Sequence, residues 1–155
     1  MPTKPFVVPL LLAVALLLSA CVTARPPMAP INLSEAGWKV RQGQAVWRPD
    51  GRSEEVAGEL MVATHPDGRS LVQFTKVPIQ MVLARRWSTR WEVHFPPNTV
   101  LEGQGSPPAR VIWLHLAHFL NGGEPPELWK AGREEQSWKL ENSTTGERLE
   151  GYLEP

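Results

Sequence analysis

The sequence predicts a mainly β protein, a meander of antiparallel strands with one solvated face and one or two short helices. Two observations support the strands. From residue 37 onward apolar and polar residues mostly alternate with a period of two. Tight-turn signals such as His65-Pro66-Asp67-Gly68 separate the alternating segments. A third observation supports a helix, because residues 111–120 are apolar on nearly every side and glycines follow them.

The alternation justifies the strands in chain order. Pro49-Asp50-Gly51 supplies a turn after the first strand, and Pro78 ends the third. The two faces are clear in the fifth strand, where apolar side chains oppose polar ones: Trp91, Val93 and Phe95 against Arg90, Glu92 and His94. The predicted strands cover residues 38–48, 55–62, 70–76, 79–86, 90–95, 136–141 and 147–153.

Two helices are expected in the remaining segments. Residues 111–120 follow Pro107-Pro108 and stop at Asn121-Gly122-Gly123, which favours a helix, although a buried strand has the same apolar composition. Pro125-Pro126 precedes a second short helix over residues 127–131.

The amino-terminal segment has the features of a secretory signal. Lys4 precedes an apolar run from Phe6 to Ala20, broken only by Pro9 and Ser19. An uncleaved membrane helix is the alternative, but it needs about 20 apolar residues, more than this run supplies. Residues 1–20 are therefore predicted to be a signal peptide.

The end of this segment, Leu18-Ser19-Ala20-Cys21, resembles the lipobox of bacterial lipoproteins. The resemblance implies cleavage after Ala20, lipidation of the Cys21 thiol and acylation of the freed amine. Several acyl chains anchor a protein stably, whereas one gives marginal binding. By the same resemblance, an aspartate directly after the cysteine would retain the protein at the inner membrane. This chain has Val22 at that position. The resemblance therefore implies a lipid-anchored protein of the cell envelope, at the outer membrane and facing the periplasm.

Prolines mark the start of the mature chain. Pro26, Pro27 and Pro30 lie within seven residues, and proline fixes φ and removes a backbone donor. We therefore expect residues 21–30 to form the lipidated cysteine and a proline-rich tether, which would span roughly 25–30 Å between Thr23 and Ile31 in polyproline geometry. Residues 31–155 would form a single β-rich domain.

Composition excludes several classes of partner. The chain has 16 Lys and Arg against 16 Asp and Glu, and no run of five like charges, so neither an overall field nor a local patch favours nucleic acid. With the only cysteine, Cys21, used for lipid, no intrachain disulfide can form. The sequence leaves the oligomeric state open.

The order of these elements resembles the lipoprotein-localisation family of LolA and LolB. The local similarities are Gly58 to Val62 at a strand start, Phe74 to Pro78 before the next strand, and Phe119 to Pro125 after the helix. The resemblance implies a curved antiparallel sheet, an unclosed β-barrel, with the helices on its concave side. The lipid anchor is similar to that of the outer-membrane receptor rather than its soluble carrier.

An apolar concave face of this kind can hold acyl chains if the protein does not fill it. The alternative is that the same residues form only the hydrophobic core, which a domain of this size needs in order to fold. The candidates for acyl-chain binding are Val72, Phe74, Met81, Leu83, Trp91, Val93, Phe95, Trp113, Leu116 and Leu120.

Residues for covalent chemistry are not arranged for it. His115 and His118 share a helix face, but no third ligand is evident, so no metal or other cofactor is expected. No serine lies in a Gly-x-Ser-x-Gly frame and no phosphate-binding glycine loop occurs, so we expect no catalytic residues and no enzymatic activity. Arg85, Arg86 and Arg90 form a basic cluster that would be either a solvated hairpin end or a contact for lipid phosphates.

The sequence therefore predicts an outer-membrane lipoprotein that binds lipid or lipoprotein acyl chains and aids lipoprotein localisation or insertion. The alternative is a non-enzymatic accessory lipoprotein of an envelope assembly, with a filled core. The expected partners are the membrane, through the amino-terminal lipid, and lipoproteins or lipid acyl chains.

Overall fold

The computed structural model describes residues 26–155, which form one sheet with a short helical segment against it. A 3-10 turn, Ile112–Leu114, and the helix α1, Leu116–Leu120, form that segment. The strands are Lys39–Arg48 (β1), Val56–Thr64 (β2), Ser70–Lys76 (β3), Ile79–Arg86 (β4), Arg90–Phe95 (β5), Thr99–Gln104 (β6), Trp129–Glu134 (β7), Ser137–Asn142 (β8) and Arg148–Leu153 (β9).

The nine strands form one open antiparallel sheet in the order β6-β5-β4-β3-β2-β1-β9-β8-β7. Strands β1 to β6 follow one another as a meander, and β9 returns to pair with the free side of β1, Trp47 opposite Leu149. Strands β6 and β7 are the two edges, and the helical segment lies in the chain between them. The predicted mainly β fold with an unclosed sheet is therefore confirmed.

Two predictions of local structure are wrong. Residues 127–131 were expected to be helical, but from Trp129 onward they form β7, which pairs with β8 from Trp129–Asn142 to Glu134–Ser137. Pairing between distant residues overrides the helix-start signal of Pro125-Pro126. The edge strand β6 is also absent from the predicted strands. Most residues of β6 are exposed or half-buried. An edge strand buries fewer side chains, so its sequence shows little alternation of apolar and polar residues.

Small residues occupy the inner positions at the centre of the sheet. The inner positions of β1, β2 and β9 include Gly43, Ala45, Gly58 and Gly151. A Cβ atom at Gly151 would lie only 2.2 Å from the Gln44 carbonyl oxygen. Neighbouring strands therefore approach too closely for a larger side chain at the glycine positions.

The residues before β1 cross the outer face of the sheet. We call residues 26–38 the N-terminal strap. The Arg90 guanidinium on β5 donates to the Pro26 carbonyl at 3.2 Å, and the Arg85 guanidinium on β4 donates to the Ala29 carbonyl at 3.4 Å. Met28 is buried, with 6% of its surface exposed. Pro26, Met28 and Ala29 therefore contact the domain.

The second half of the strap is held by charge and aromatic contacts. Glu35 accepts two hydrogen bonds from the Arg69 guanidinium, at 2.9 and 2.8 Å, and His65 Nε2–H donates to the Ala36 carbonyl at 3.1 Å. The Arg69 guanidinium also lies 5.3 Å from the centre of the Trp38 ring and 5.4 Å from that of Trp87. These contacts fix the path of the strap from β5 to β1.

Candidate functional site

The inner face of the sheet carries a cluster of aromatic side chains. Trp47 on β1 stacks on Phe95 of β5 at 6.2 Å between ring centres and meets Trp113 edge-on at 5.3 Å. Phe74 on β3 stacks on Trp113 at 5.4 Å. Such pairs contribute about 0.5–1.5 kcal/mol each beyond their buried area. The 3-10 turn therefore docks into the sheet through Trp113.

Most of the predicted acyl-binding residues meet at this inner face. Register places the apolar members of β3 and β5 on one side of the sheet, since Val72 pairs with Ala84 and Ala84 with Val93. The helical segment contributes its own members from the opposite direction. The candidates that belong to this core or pack against it are Val72, Phe74, Met81, Trp91, Val93, Phe95, Trp113, Leu116 and Leu120.

Strand β4 presents different residues from those expected. Phe74 pairs with Val82, while Thr75 pairs with Gln80, so Met81 is an extra residue at a bulge. The buried inner residues of β4 are Val82 and Ala84. Leu83 pairs with Gln73 and lies on the outer face, so its assignment to the inner face is wrong. The physical reason is that four successive apolar residues in β4 hide which alternate pair faces inward.

Residues 111–120 fill the space over the inner face, and we call them the plug. Ile112, Trp113, Leu116 and Phe119 are almost completely buried, each with 1% exposure or less. Phe74, Leu60, Val72 and Val93 beneath them are equally buried. In this conformation the inner face is occupied by the protein's own side chains, as the core interpretation requires.

Two arginines of the sheet hold the carboxyl end of the plug. The Arg133 guanidinium on β7 donates to the Phe119 carbonyl at 2.7 Å and lies 4.1 Å from the Phe119 ring centre. The Arg41 guanidinium on β1 donates to the Leu120 carbonyl at 3.2 Å and to Asn121 Oδ1 at 2.9 Å. Arg41 satisfies the Leu120 carbonyl, whereas the Phe119 carbonyl accepts from the Gly122 N–H at 3.0 Å as well as from Arg133.

Three indole groups of the inner face lack a hydrogen-bond acceptor. Trp91 Nε1, Trp113 Nε1 and Trp138 Nε1 are buried and have no partner among the described residues 26–155. A buried donor without an acceptor costs about 1–3 kcal/mol. The inner face therefore combines an apolar lining with donors that a ligand carbonyl would satisfy.

A half-buried carboxyl group lies at the edge of the aromatic cluster. Trp47 Nε1–H donates to Glu147 Oε1 at 3.0 Å. Burial raises the pKa of Glu147 to about 7, and the charge of Asp50 acts in the same direction, whereas the Trp47 hydrogen bond opposes it. The sequence offered no signal for this group, because Glu147 and Trp47 are 100 residues apart.

The plug histidines have separate environments. His115 Nε2–H donates to the Pro108 carbonyl at 3.2 Å, and burial lowers the pKa of His115. His118 is exposed, and its ring lies against Gly123. Among residues 26–155, no three histidine, cysteine or acidic side chains are placed to bind one metal ion.

The basic cluster noted in the sequence is partly neutralised. Glu92 is only 4% exposed and contacts both the Arg85 guanidinium and His94 Nε2, the latter at 2.9 Å. Arg90 lies 3.9 Å from a Glu102 oxygen. Arg86 forms no salt bridge with any residue from 26 to 155.

The outer face carries an open groove that the sequence did not indicate. It has a volume of about 840 Å³ and crosses β3, β2, β1, β9, β8 and β7. Its floor is the backbone at Ala45, Gly58 and Gly151, and Tyr152, 41% exposed, stands in it. Charges of both signs border the groove: Glu59, Lys76, Glu134, Lys139 and Glu150. We call this the outer groove.

The predicted lipidation site, Cys21, and the predicted signal peptide lie outside the described residues. Within residues 26–155, no helix has the length and apolar character needed to cross a bilayer. No protein-family model matches the chain, and no curated protein matches it.

Proposed function

We propose that this protein is a non-catalytic lipoprotein, anchored through Cys21 at the periplasmic face of the outer membrane, that binds acyl chains at its inner face. The observation that carries the proposal is the apolar inner face, to which nine of the ten candidate residues contribute or against which they pack. Burial of acyl CH₂ groups, about 0.8 kcal/mol each, would drive capture.

Binding at this face requires the plug to move aside. The plug is one 3-10 turn and a five-residue helix, too short to be stable without its contacts to the sheet. An acyl chain would replace apolar plug contacts with similar apolar contacts, so the exchange costs little hydrophobic energy. An ester or amide carbonyl of the ligand would accept a hydrogen bond from Trp91 Nε1, which lies on β5 of the sheet.

The burial of most apolar side chains of the plug favours a second candidate function. An inner face that never opens would make this protein an accessory lipoprotein whose contacts with an envelope assembly lie on its outside. The outer groove would then be the first surface to examine, because its volume lies in the range of ligand-binding clefts.

A fluorescent fatty acid separates the two functions. Residues 22–155, produced without lipid, should bind the probe saturably at one site, and unlabelled palmitate should compete. Trp91→Glu places a carboxylate at the inner face and should reduce affinity at least tenfold. The matched variant Tyr152→Glu, in the outer groove, should bind like the parent.

The outcomes have distinct meanings. Loss of binding in Tyr152→Glu but not in Trp91→Glu would move the site to the outer groove. A folded parent domain with no saturable binding would exclude acyl-chain capture and leave the accessory role. In that case, cross-linking of the lipidated protein in intact cells should recover one stoichiometric partner.

A further inference from the structure

The outer groove continues into a second cleft along the strands. That cleft has a volume of about 310 Å³ and shares Gln44, Glu59 and Thr75 with the outer groove. Its lining also includes the side-chain amides of Gln42 and Gln73. The outer face at the centre of the sheet is therefore one continuous concave surface with many polar side chains.

Strand register places one row of side chains across this surface. Thr75 on β3 lies opposite Glu59 on β2, which lies opposite Gln44 on β1. Gln44 also lies opposite Tyr152 of β9, which in turn lies opposite Ser137 of β8. Side chains that are directly opposite on one face have Cβ atoms about 4.5–5.5 Å apart. The exposed Tyr152 is thus flanked on both sides by groups that form hydrogen bonds.

Small side chains in the adjacent row leave space beside Tyr152. Val46 on β1 lies opposite Ala57 on β2, and Gly132 on β7 lies opposite Lys139 on β8. The outer groove, at about 840 Å³, falls within the range of about 300–1,000 Å³ that is typical of sites for small ligands. The surface can therefore accommodate a ligand in contact with Tyr152.

The charges around the groove are of both signs and are partly paired. Lys139 Nζ lies 3.3 Å from Glu141 Oε2, and Glu150 Oε1 lies 3.5 Å from the Arg148 guanidinium. Glu59 forms no salt bridge with any residue from 26 to 155. The surface therefore has no field of one sign that would select a strongly charged ligand, and its polar lining offers an acyl chain little apolar contact.

The backbone at the floor of the groove is not available to a peptide. Strands β2, β1, β9 and β8 each have a paired strand on both sides. An extended peptide binds a sheet through the free backbone groups of an edge strand, and these central strands have none to offer. Recognition at this surface therefore depends on its side chains.

We propose that the outer groove binds a neutral oligosaccharide, with one sugar ring stacked on Tyr152. The C–H groups on one face of a pyranose are apolar, and the negatively polarised face of an aromatic ring attracts their hydrogens. The Gln44 amide offers a donor and an acceptor to the sugar hydroxyls, and the Glu59 carboxylate offers acceptors. This site goes beyond the proposed function, since it requires neither movement of the plug nor binding at the inner face.

Titration with two neutral trisaccharides tests the site. The protein, purified as the cell produces it and kept in a detergent without a sugar headgroup, is titrated with maltotriose and with tri-N-acetylchitotriose. Saturation-transfer difference NMR should show saturable binding of at least one of them with a Kd below about 10 mM. The sugar C–H protons should receive the strongest saturation. The trisaccharide with the lower Kd identifies the ligand as a glucose polymer or an N-acetylglucosamine polymer.

Variants of the groove test the two kinds of contact. Tyr152→Phe keeps the ring and should leave the Kd within about twofold of the parent, whereas Tyr152→Ala should raise it at least about tenfold. Gln44→Ala should raise the Kd about threefold. Gln80→Ala, an exposed glutamine on β4 outside both clefts, is the matched control and should leave it unchanged. Circular dichroism verifies that each variant is folded.

Three results would overturn the sugar site. The first is a folded parent that binds neither trisaccharide saturably, including the case in which casein peptides bind instead and assign the surface to a polypeptide. The second is a Tyr152→Ala variant that binds as tightly as the parent. The third is tighter binding of trigalacturonate, which would mean that the groove selects an acidic ligand.

The sugar site and the proposed function fail in different ways. Palmitate should not displace the bound trisaccharide, because the proposed acyl site is the inner face. Displacement would assign the outer groove to acyl chains and overturn the sugar site. Trisaccharide binding without fatty-acid binding would reject the proposed acyl capture alone, and the reverse result would reject this inference alone.

Discussion

The half-buried carboxyl of Glu147 should make the folded protein less stable as the pH rises. Its pKa is raised from 4.5 to about 7, mainly by burial. Between these two values, the folded state keeps a proton on Glu147 that the unfolded state has released. Stability therefore falls with increasing pH across this window, and below pH 4.5 the effect disappears because both states are protonated.

The size of the effect follows from the two pKa values. A difference from 4.5 to about 7 corresponds to at most about 3 kcal/mol, at 1.36 kcal/mol for each tenfold change in acidity. Because Glu147 is only partly buried, solvent screening reduces this, and we expect about 1–2 kcal/mol at pH 8. For a domain of this size, that is a Tm change of roughly 5 °C.

Glu147→Gln removes the titrating group and keeps an acceptor for Trp47 Nε1–H. Urea unfolding at pH 4, 6 and 8 should show equal stability of variant and parent at pH 4 and a more stable variant at pH 8. Glu54→Gln, an exposed carboxylate in the turn before β2, is the matched control and should show no such trend. Titration of His115, whose pKa is lowered, is common to all three proteins and cancels in the difference.

Two results would refute this reasoning. One is a parent and a Glu147→Gln variant whose stabilities differ by the same amount at pH 4 and pH 8. The other is a variant that is less stable at pH 8, which would mean that ionised Glu147 stabilises the fold through its contact with Trp47.

Three further predictions concern the packing of the sheet. Val82→Ala should lower the free energy of unfolding, measured in urea, by about 2 kcal/mol, because Val82 faces the core. Leu83→Ala should lower it by less than about 1 kcal/mol. The reverse order would contradict the register of β4. Gly151→Ala should cost about 3 kcal/mol or more, since its Cβ would meet a backbone oxygen. Gly132→Ala should change stability little, because the nearest atom to its Cβ would be Lys139 Cβ at 4.0 Å; similar effects would argue against the close approach of β9 and β1. Arg133→Met should accelerate amide hydrogen exchange in α1, and unchanged exchange would show that the plug does not depend on this arginine.

Local sequence patterns were sufficient to predict strands and turns where a segment has a clear turn signal and a clear alternation of apolar and polar residues. The hairpin at His65 to Gly68 has the expected Gly68 N–H bond to the His65 carbonyl, at 3.0 Å. The bounds of β3, β4 and β5 agree with the prediction. In β5, the apolar residues Trp91, Val93 and Phe95 belong to the inner face, as alternation requires, because polar and apolar residues differ at every step.

Local sequence patterns were insufficient where the structure of a segment depends on contacts between residues that are far apart in the chain. The inner face of β4 depends on a bulge at Met81 that only pairing with β3 reveals. Residues 129–134 become a strand because β8 supplies their hydrogen bonds. The Trp47–Glu147 pair likewise joins residues that are 100 positions apart in the chain.

The sequence by itself determined the class of fold, most of the strands and turns, and the apolar character of the plug, because these depend on residues that are neighbours in the chain. The tertiary structure decided that the plug fills the inner face and that the strap lies on the outer face. Those outcomes depend on which surfaces meet, and surfaces are defined only once the nine strands are paired and curved.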